Sequence, residues 1–197
     1  MNDASGTPAA KPPRFPQLAM EQLNPEQRAL AEGIMKFSSV GIGGPYNIML
    51  RSPVFLKRML DLLDYLRWNT SLPLHLNEFA ILIVGRRWRS QVEWYAHAPI
   101  AKKAGLSQSI IDQLKQKKRP EGMKEDEAIV FDFCTELAAS HAVSDETFAR
   151  AKRILGEQQV VDLVAVSGTY VTVAMLLSVP EAMPPEGKEL PFKPGEP

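Results

Sequence analysis

Residues 77–106, NEFAILIVGRRWRSQVEWYAHAPIAKKAGL, hold the side chains best suited to chemistry. Ser90, Glu93 and His97 stand at i, i+3 and i+7, which on a helix is one face. Glu93 and His97 are four residues apart, so their side chains can hydrogen-bond. A carboxylate beside an imidazole fixes its tautomer and holds a proton for transfer. An ordinary surface pair has the same spacing, so these residues gain meaning only from what surrounds them. Trp88 and Trp94 flank the face, as packing residues or as the wall of an apolar pocket. Tyr46 lies in the glycine-rich segment 41–47, where its hydroxyl can donate to a ligand or simply pack in a turn.

Several other chemistries are excluded by residue type. Gly41, Gly43 and Gly44 lack the Gly-Lys-Ser/Thr ending and the preceding strand of a phosphate-binding loop. His75 and His141 have no spaced carboxylate or cysteine partners, and with His97 they form no HExxH-like pattern, so no metal is expected. Cys134 is the one cysteine. It excludes an intramolecular disulfide, a cysteine-based zinc cluster and a CxxC redox pair. With Phe131, Phe133 and Leu137 around it, Cys134 reads as a core residue.

The elements that must position these residues read as helices. Asn24-Pro25-Glu26-Gln27 orders a cap, a first-turn proline and an N3 glutamine, predicting a helix to about Ser39. Ser52-Pro53 repeats the signal ahead of Phe55, Met59, Leu62, Leu63 and Leu66 at helical spacing. A third helix from near Pro73 carries Leu76, Phe79, Ala80, Leu82, Ile83 and Val84, and its broad apolar surface predicts a central, buried position. A fourth covers about residues 90–104, with Gly105 at its C′ position. Ser107 opens a short helix to Lys115, followed by the basic run 115–119. Another helix spans about 124–140. Ser144 caps the next, which stops at Gly156, and the last covers 157–178. That last run is rich in β-branched residues but too long for a typical strand. The class is all-α.

Length and charge narrow the rest. The chain has 197 residues, near the usual single-domain size of roughly 100–200. Apolar residues make up 45% and charged residues 23%, which excludes a wholly disordered chain. Lys+Arg and Asp+Glu are both 23, and a general nucleic-acid binder would be basic. No apolar run is read as nearing the ~20 residues of a membrane span. Residues 1–16 lack the apolar core of a secretory signal. These points give a cytoplasmic expectation, with no nucleic-acid and no membrane partner. Ten of the 16 prolines lie in 1–16 and 180–197. The expected organisation is a disordered arm over 1–20, a domain over 21–180 and an extended Pro-rich tail over 181–197. Leu190 and Phe192 suit that tail to packing on a neighbour.

Glu78, the helical apolar run after it, Ser90-x-x-Glu93-Trp94-x-x-His97, then Ala98-Pro99-Ile100-Ala101 and Lys103-Ala104-Gly105-Leu106-Ser107 resemble the carboxymuconolactone decarboxylase family of the AhpD-like superfamily. Gly44-Pro45-Tyr46-Asn47 with Leu50 and Ser52-Pro53 resembles a segment common upstream in that branch. The resemblance spans roughly 24–180. It implies an AhpD-like bundle of about seven to eight helices and a homotrimer or homohexamer. In the redox branch, cysteines occupy the positions of Ser90 and Glu93. Thiol peroxidase chemistry needs a thiolate and a resolving thiol, so that activity is excluded.

The resemblance implies instead a cofactor-free lyase of aromatic catabolism acting on a small carboxylated lactone or cyclic acid. The lactone itself is the electron sink. His97 is then the proton donor or oxyanion partner, Glu93 orients it or shuttles its proton, and Glu78 joins the relay. Arg86, Arg87 and Arg89 are candidates for substrate carboxylates, because guanidinium forks bind them bidentately; the bland alternative is a solvated helix end. Ser90, Trp94 and Tyr46 complete the expected substrate pocket. The alternatives are another proton-transfer enzyme, a hydrolase or isomerase, on the same scaffold, or a non-catalytic binding or assembly relative.

Overall fold

The α4 helix (Leu74–Arg87) is the axis of the molecule. Its apolar residues recur on all sides, so it can be stable only if other elements surround it. In the computed structural model, which describes residues 12–38 and 41–193, every residue of α4 from Leu76 to Arg86 is buried. Around it pack α5 (Gln91–Lys103), α7 (Glu125–Ser140) and α8 (Asp145–Ser178). Before α4 come α1 (Pro25–Met35), α2 (Pro45–Met49), α3 (Pro53–Asp64) and a π-helical turn over Tyr65–Asn69. The short α6 (Gln108–Lys115) follows α5. The described residues thus form an all-α bundle of eight helices without strands.

Local chemistry explains most of the helix boundaries. Asn24 and Gln27 exchange side-chain and backbone hydrogen bonds of 2.9 and 3.0 Å, the reciprocal box the sequence announces. That helix ends at Met35, short of the expected Ser39, which lies outside the described residues. Helices α4 and α5 are joined by a tight Schellman turn. Ser90 N–H donates to Gly85 and Arg89 N–H to Arg86, with Arg89 in the left-handed region at φ 53°. The same geometry closes α5, where Gly105 takes the left-handed position at φ 109°. The turn at Arg89 makes Ser90 both the end of one helix and the cap of the next.

Gly156 breaks α8, as the sequence predicts, with φ 80° and ψ 166°. Against the sequence expectation, α8 is long and apolar enough to cross a bilayer by length and composition. Half of its most apolar stretch is buried, and Leu163, Val166, Tyr170, Val173 and Leu177 face inward, as in a core helix.

The two Pro-rich ends are held where the structure describes them. Residues 1–11 and 194–197 of the expected arm and tail lie outside the described residues. Leu18 exchanges two hydrogen bonds with the Asn47 amide, at 3.0 and 3.1 Å, and Arg14 pairs with Glu181 at 2.8 Å. The expected disordered arm therefore does not extend over these residues. In the tail, Phe192 is buried on its own chain rather than on a neighbour. Its ring meets Trp94 edge-on at 5.2 Å, and the Gln91 amide bonds its N–H at 2.9 Å and its carbonyl at 2.7 Å.

Candidate active site

Helices α4 and α5 approach closely at Gly85, where an added Cβ would lie 3.5 Å from the Glu93 Cβ. That approach sets Glu78, Glu93 and His97 together in the interior; all three are buried. His97 does not pair with Glu93 four residues earlier. Its Nδ1 lies 2.7 Å from Glu78 Oε2, across the helix interface. With the carboxylate as acceptor, Nδ1–H donates and Nε2 is left as the working nitrogen. The orienting role that the resemblance implied for Glu93 is thus filled by Glu78. The spacing argument compared residues within one helix, whereas the stronger partner comes from the neighbouring one.

Glu93 is then available for something else. Neither of its carboxyl oxygens has a hydrogen-bond partner, though both are buried. Burial pushes the carboxyl up to about 8, only partly offset by Ser90. Desolvation disfavours the charged form when no donor answers it, so near neutral pH the group is a protonated acid. Ser90 is buried beside it, and its hydroxyl accepts the Glu93 N–H at 3.4 Å.

Tyr170, from α8, closes the site. Its ring stands edge-on to His97 at 5.1 Å. Burial holds its phenol protonated far above its ordinary range, and the charges of Arg67, Glu78 and Glu93 also act on it. Tyr170 and Arg67 are absent from the sequence reading. Each sits far in sequence from the Glu93–His97 motif, and only their periodic places on α8 and near the end of α3 marked them.

The remaining expected substrate residues fall in other places. Arg86 points toward the tail: its Nε donates to the Lys115 carbonyl at 2.7 Å, and its guanidinium lies 4.7 Å from the Phe192 ring centre. It lines a cleft of about 630 Å³ with Asp112, Lys115, Glu189 and Lys193. Glu78, Glu93 and His97 are not part of that lining. Arg87 donates to the Ala138 carbonyl at 2.6 Å. The Arg89 backbone forms the Schellman turn. Trp94 packs against Phe192. Tyr46 packs edge-on to Phe37 at 6.1 Å, and its hydroxyl is near enough to influence Tyr170.

The other singled-out residues are structural. His75 lies 3.7 Å from Asp126, and His141 takes the left-handed position that ends α7. The Cys134 thiol is buried, 3.4 Å from the Ser167 hydroxyl, and desolvation pushes it up to about 11. A thiol so protonated is a poor nucleophile.

No family model, no curated protein and no solved structure matches this chain. The functional reading therefore rests on the geometry above and on the sequence pattern of Glu78, Glu93 and His97.

Proposed function

We propose that the protein is a cofactor-free lyase that decarboxylates a small carboxylated lactone, with Glu93 as the proton donor. The observation that carries this reading is the Glu93 carboxyl: buried, without a hydrogen-bond partner, and protonated near neutral pH, beside an imidazole already oriented by Glu78. A stable core does not need such an acid, because an unanswered buried polar group is destabilising.

The reaction has simple requirements. The bond between the ring carbon and the departing carboxylate breaks, and CO2 leaves. The electron pair passes through the ring into the lactone carbonyl, giving a dienolate. Glu93 gives its proton to carbon, and the enol-lactone forms. The Glu93 carboxylate then recovers a proton from solvent. His97, through Nε2–H when Nδ1 is also protonated, stabilises the oxygen on which charge develops. The Glu78 carboxylate, accepting from Nδ1, fixes the orientation of the ring.

The reading includes a homotrimer or homohexamer. Val161, Val164, Met175 and Val179 leave an apolar stripe exposed along α8, which supports self-association. A sedimentation mass of 21.9 kDa would contradict it.

The test is turnover of γ-carboxymuconolactone, followed by CO2 release. Wild type should turn over, and His97→Ala and Glu93→Gln should each lower kcat by about 10²–10⁴ with circular dichroism unchanged. Folded wild type without CO2 release rejects the lactone decarboxylase reading.

A further inference from the structure

The Pro-rich tail ends its described course on the two helices that meet at Glu93. Residues 185–189 are exposed, and Pro184, Pro185 and Pro191 donate no backbone N–H. The chain is then seated firmly at Phe192, which is 2% exposed. The Gln91 side-chain amide takes both backbone groups of that residue, the N–H at 2.9 Å and the carbonyl at 2.7 Å. The ring lies 5.2 Å from the Trp94 ring and 4.7 Å from the Arg86 guanidinium.

These three partners flank one point. Gly85 of α4 and Glu93 of α5 are where the helices come closest, with 3.5 Å between the Glu93 Cβ and a Cβ built on Gly85. Arg86 follows Gly85, Trp94 follows Glu93, and Gln91 opens α5. The Phe192 ring therefore bridges α4 and α5 beside their closest approach. Both Glu93 carboxyl oxygens are buried there without a hydrogen-bond partner, a condition that lasts only while water is kept out.

We infer that Phe192 is a positioning residue for Glu93: the tail clamps the close approach of α4 and α5 and so keeps water from the Glu93 carboxyl. This rests on the reading of Glu93 as the proton donor and adds what holds it in that state. The clamp works by exclusion, not by charge. The ionisable groups of the surrounding elements are Glu78 and Arg86 on α4, His97 on α5, Tyr170 on α8, Tyr46 on α2 and Arg67 on the π turn. The tail's own charged residues, Glu189 and Lys193, line the outer cleft, of which Glu93 is not part.

The experiment is carbon-13 NMR titration of the Glu93 carboxyl in wild type, Phe192→Ala, Phe192→Leu, Gln91→Ala and Asp162→Ala. Burial pushes the wild-type group up to about 8. Phe192→Ala should admit water and bring the midpoint below about 7. Phe192→Leu keeps an apolar plug and should hold it close to wild type. Asp162→Ala loosens the fold elsewhere and should leave it unmoved. Gln91→Ala removes both tail hydrogen bonds and leaves the ring; it should lower the midpoint too, and it decides the matter if Phe192→Ala does not fold. Phe192→Ala titrating with wild type overturns the clamp, as does an equal fall in Asp162→Ala, which would mark general loosening. A wild-type midpoint between about 4 and 5 would instead remove the proton donor and the clamp together. CO2 release does not enter the titration, so the clamp stands or falls apart from the reaction assigned to the site.

Discussion

Glu93 and Asp162 are two carboxylates of almost equal burial, 3% and 4% exposed, with opposite electrostatics. Asp162 accepts from the Ser71 backbone N–H at 2.8 Å, the Ser71 hydroxyl at 2.6 Å and the Tyr65 hydroxyl at 2.9 Å. Burial alone would raise it, yet these bonds hold it below the ordinary carboxylate range. Glu93 receives no such donors, and burial pushes it up to about 8. Burial does not by itself decide whether an acid is charged; the donors that meet it do. Asp162 is a latch tying α8 to the turn after α3. Glu93 is a polar group the fold leaves unanswered, which is why the function is sought there.

Substitution should separate the two. Asp162→Ala leaves Ser71 and Tyr65 donors without their partner and should cost about 3–5 kcal/mol by urea unfolding at pH 7. A loss below ~1 kcal/mol would mean that the latch is ornamental. Glu93→Gln should do the opposite at high pH. The folded-state pKa of Glu93 is raised, so the folded protein keeps a proton that the unfolded chain has lost. Wild-type stability should therefore fall by up to ~1.4 kcal/mol per pH unit between the unfolded pKa, near 4.5, and about 8, and level off above. Glu93→Gln should lack that slope and exceed wild type by about 2 kcal/mol at pH 9, with relaxation and water entry reducing the full figure. Asp162 has the reverse sign. Its contribution is present above its unfolded pKa and lost as pH falls through the lowered folded value.

The two Schellman turns offer a finer contrast. Gly105 occupies its left-handed position without a Cβ, whereas Arg89 does so against its preference. Arg89→Gly should stabilise by about 0.5–1 kcal/mol in thermal unfolding and leave turnover intact. Loss of turnover would return Arg89 to the substrate pocket.

The sequence made the helices legible because their caps and apolar periods are local. Asn24-Pro25, Ser90 and Gly156 mark boundaries by their own chemistry, and the unbroken apolar surface of α4 predicts its central place. The Glu93–His97 face was visible for the same reason. What spacing within one helix could not show was the partner across an interface: Glu78 reaching His97 and Tyr170 meeting the ring. The arginines at the end of α4 drew attention by their number, yet rotation around the helix turns Arg86 toward Phe192. The tail likewise read as an extended segment suited to a neighbour because proline runs form no helix, while Gln91 and Trp94 give it a seat on its own chain.

The most direct test of this account is the titration of the Glu93 carboxyl itself. Carbon-13 NMR of the glutamate side-chain carboxyls, with Glu93→Gln identifying the resonance, should show a midpoint near 8. A midpoint between about 4 and 5, the range of a solvated glutamate, would mean that the group is charged at neutral pH, and the proton-donor role assigned to it would fall.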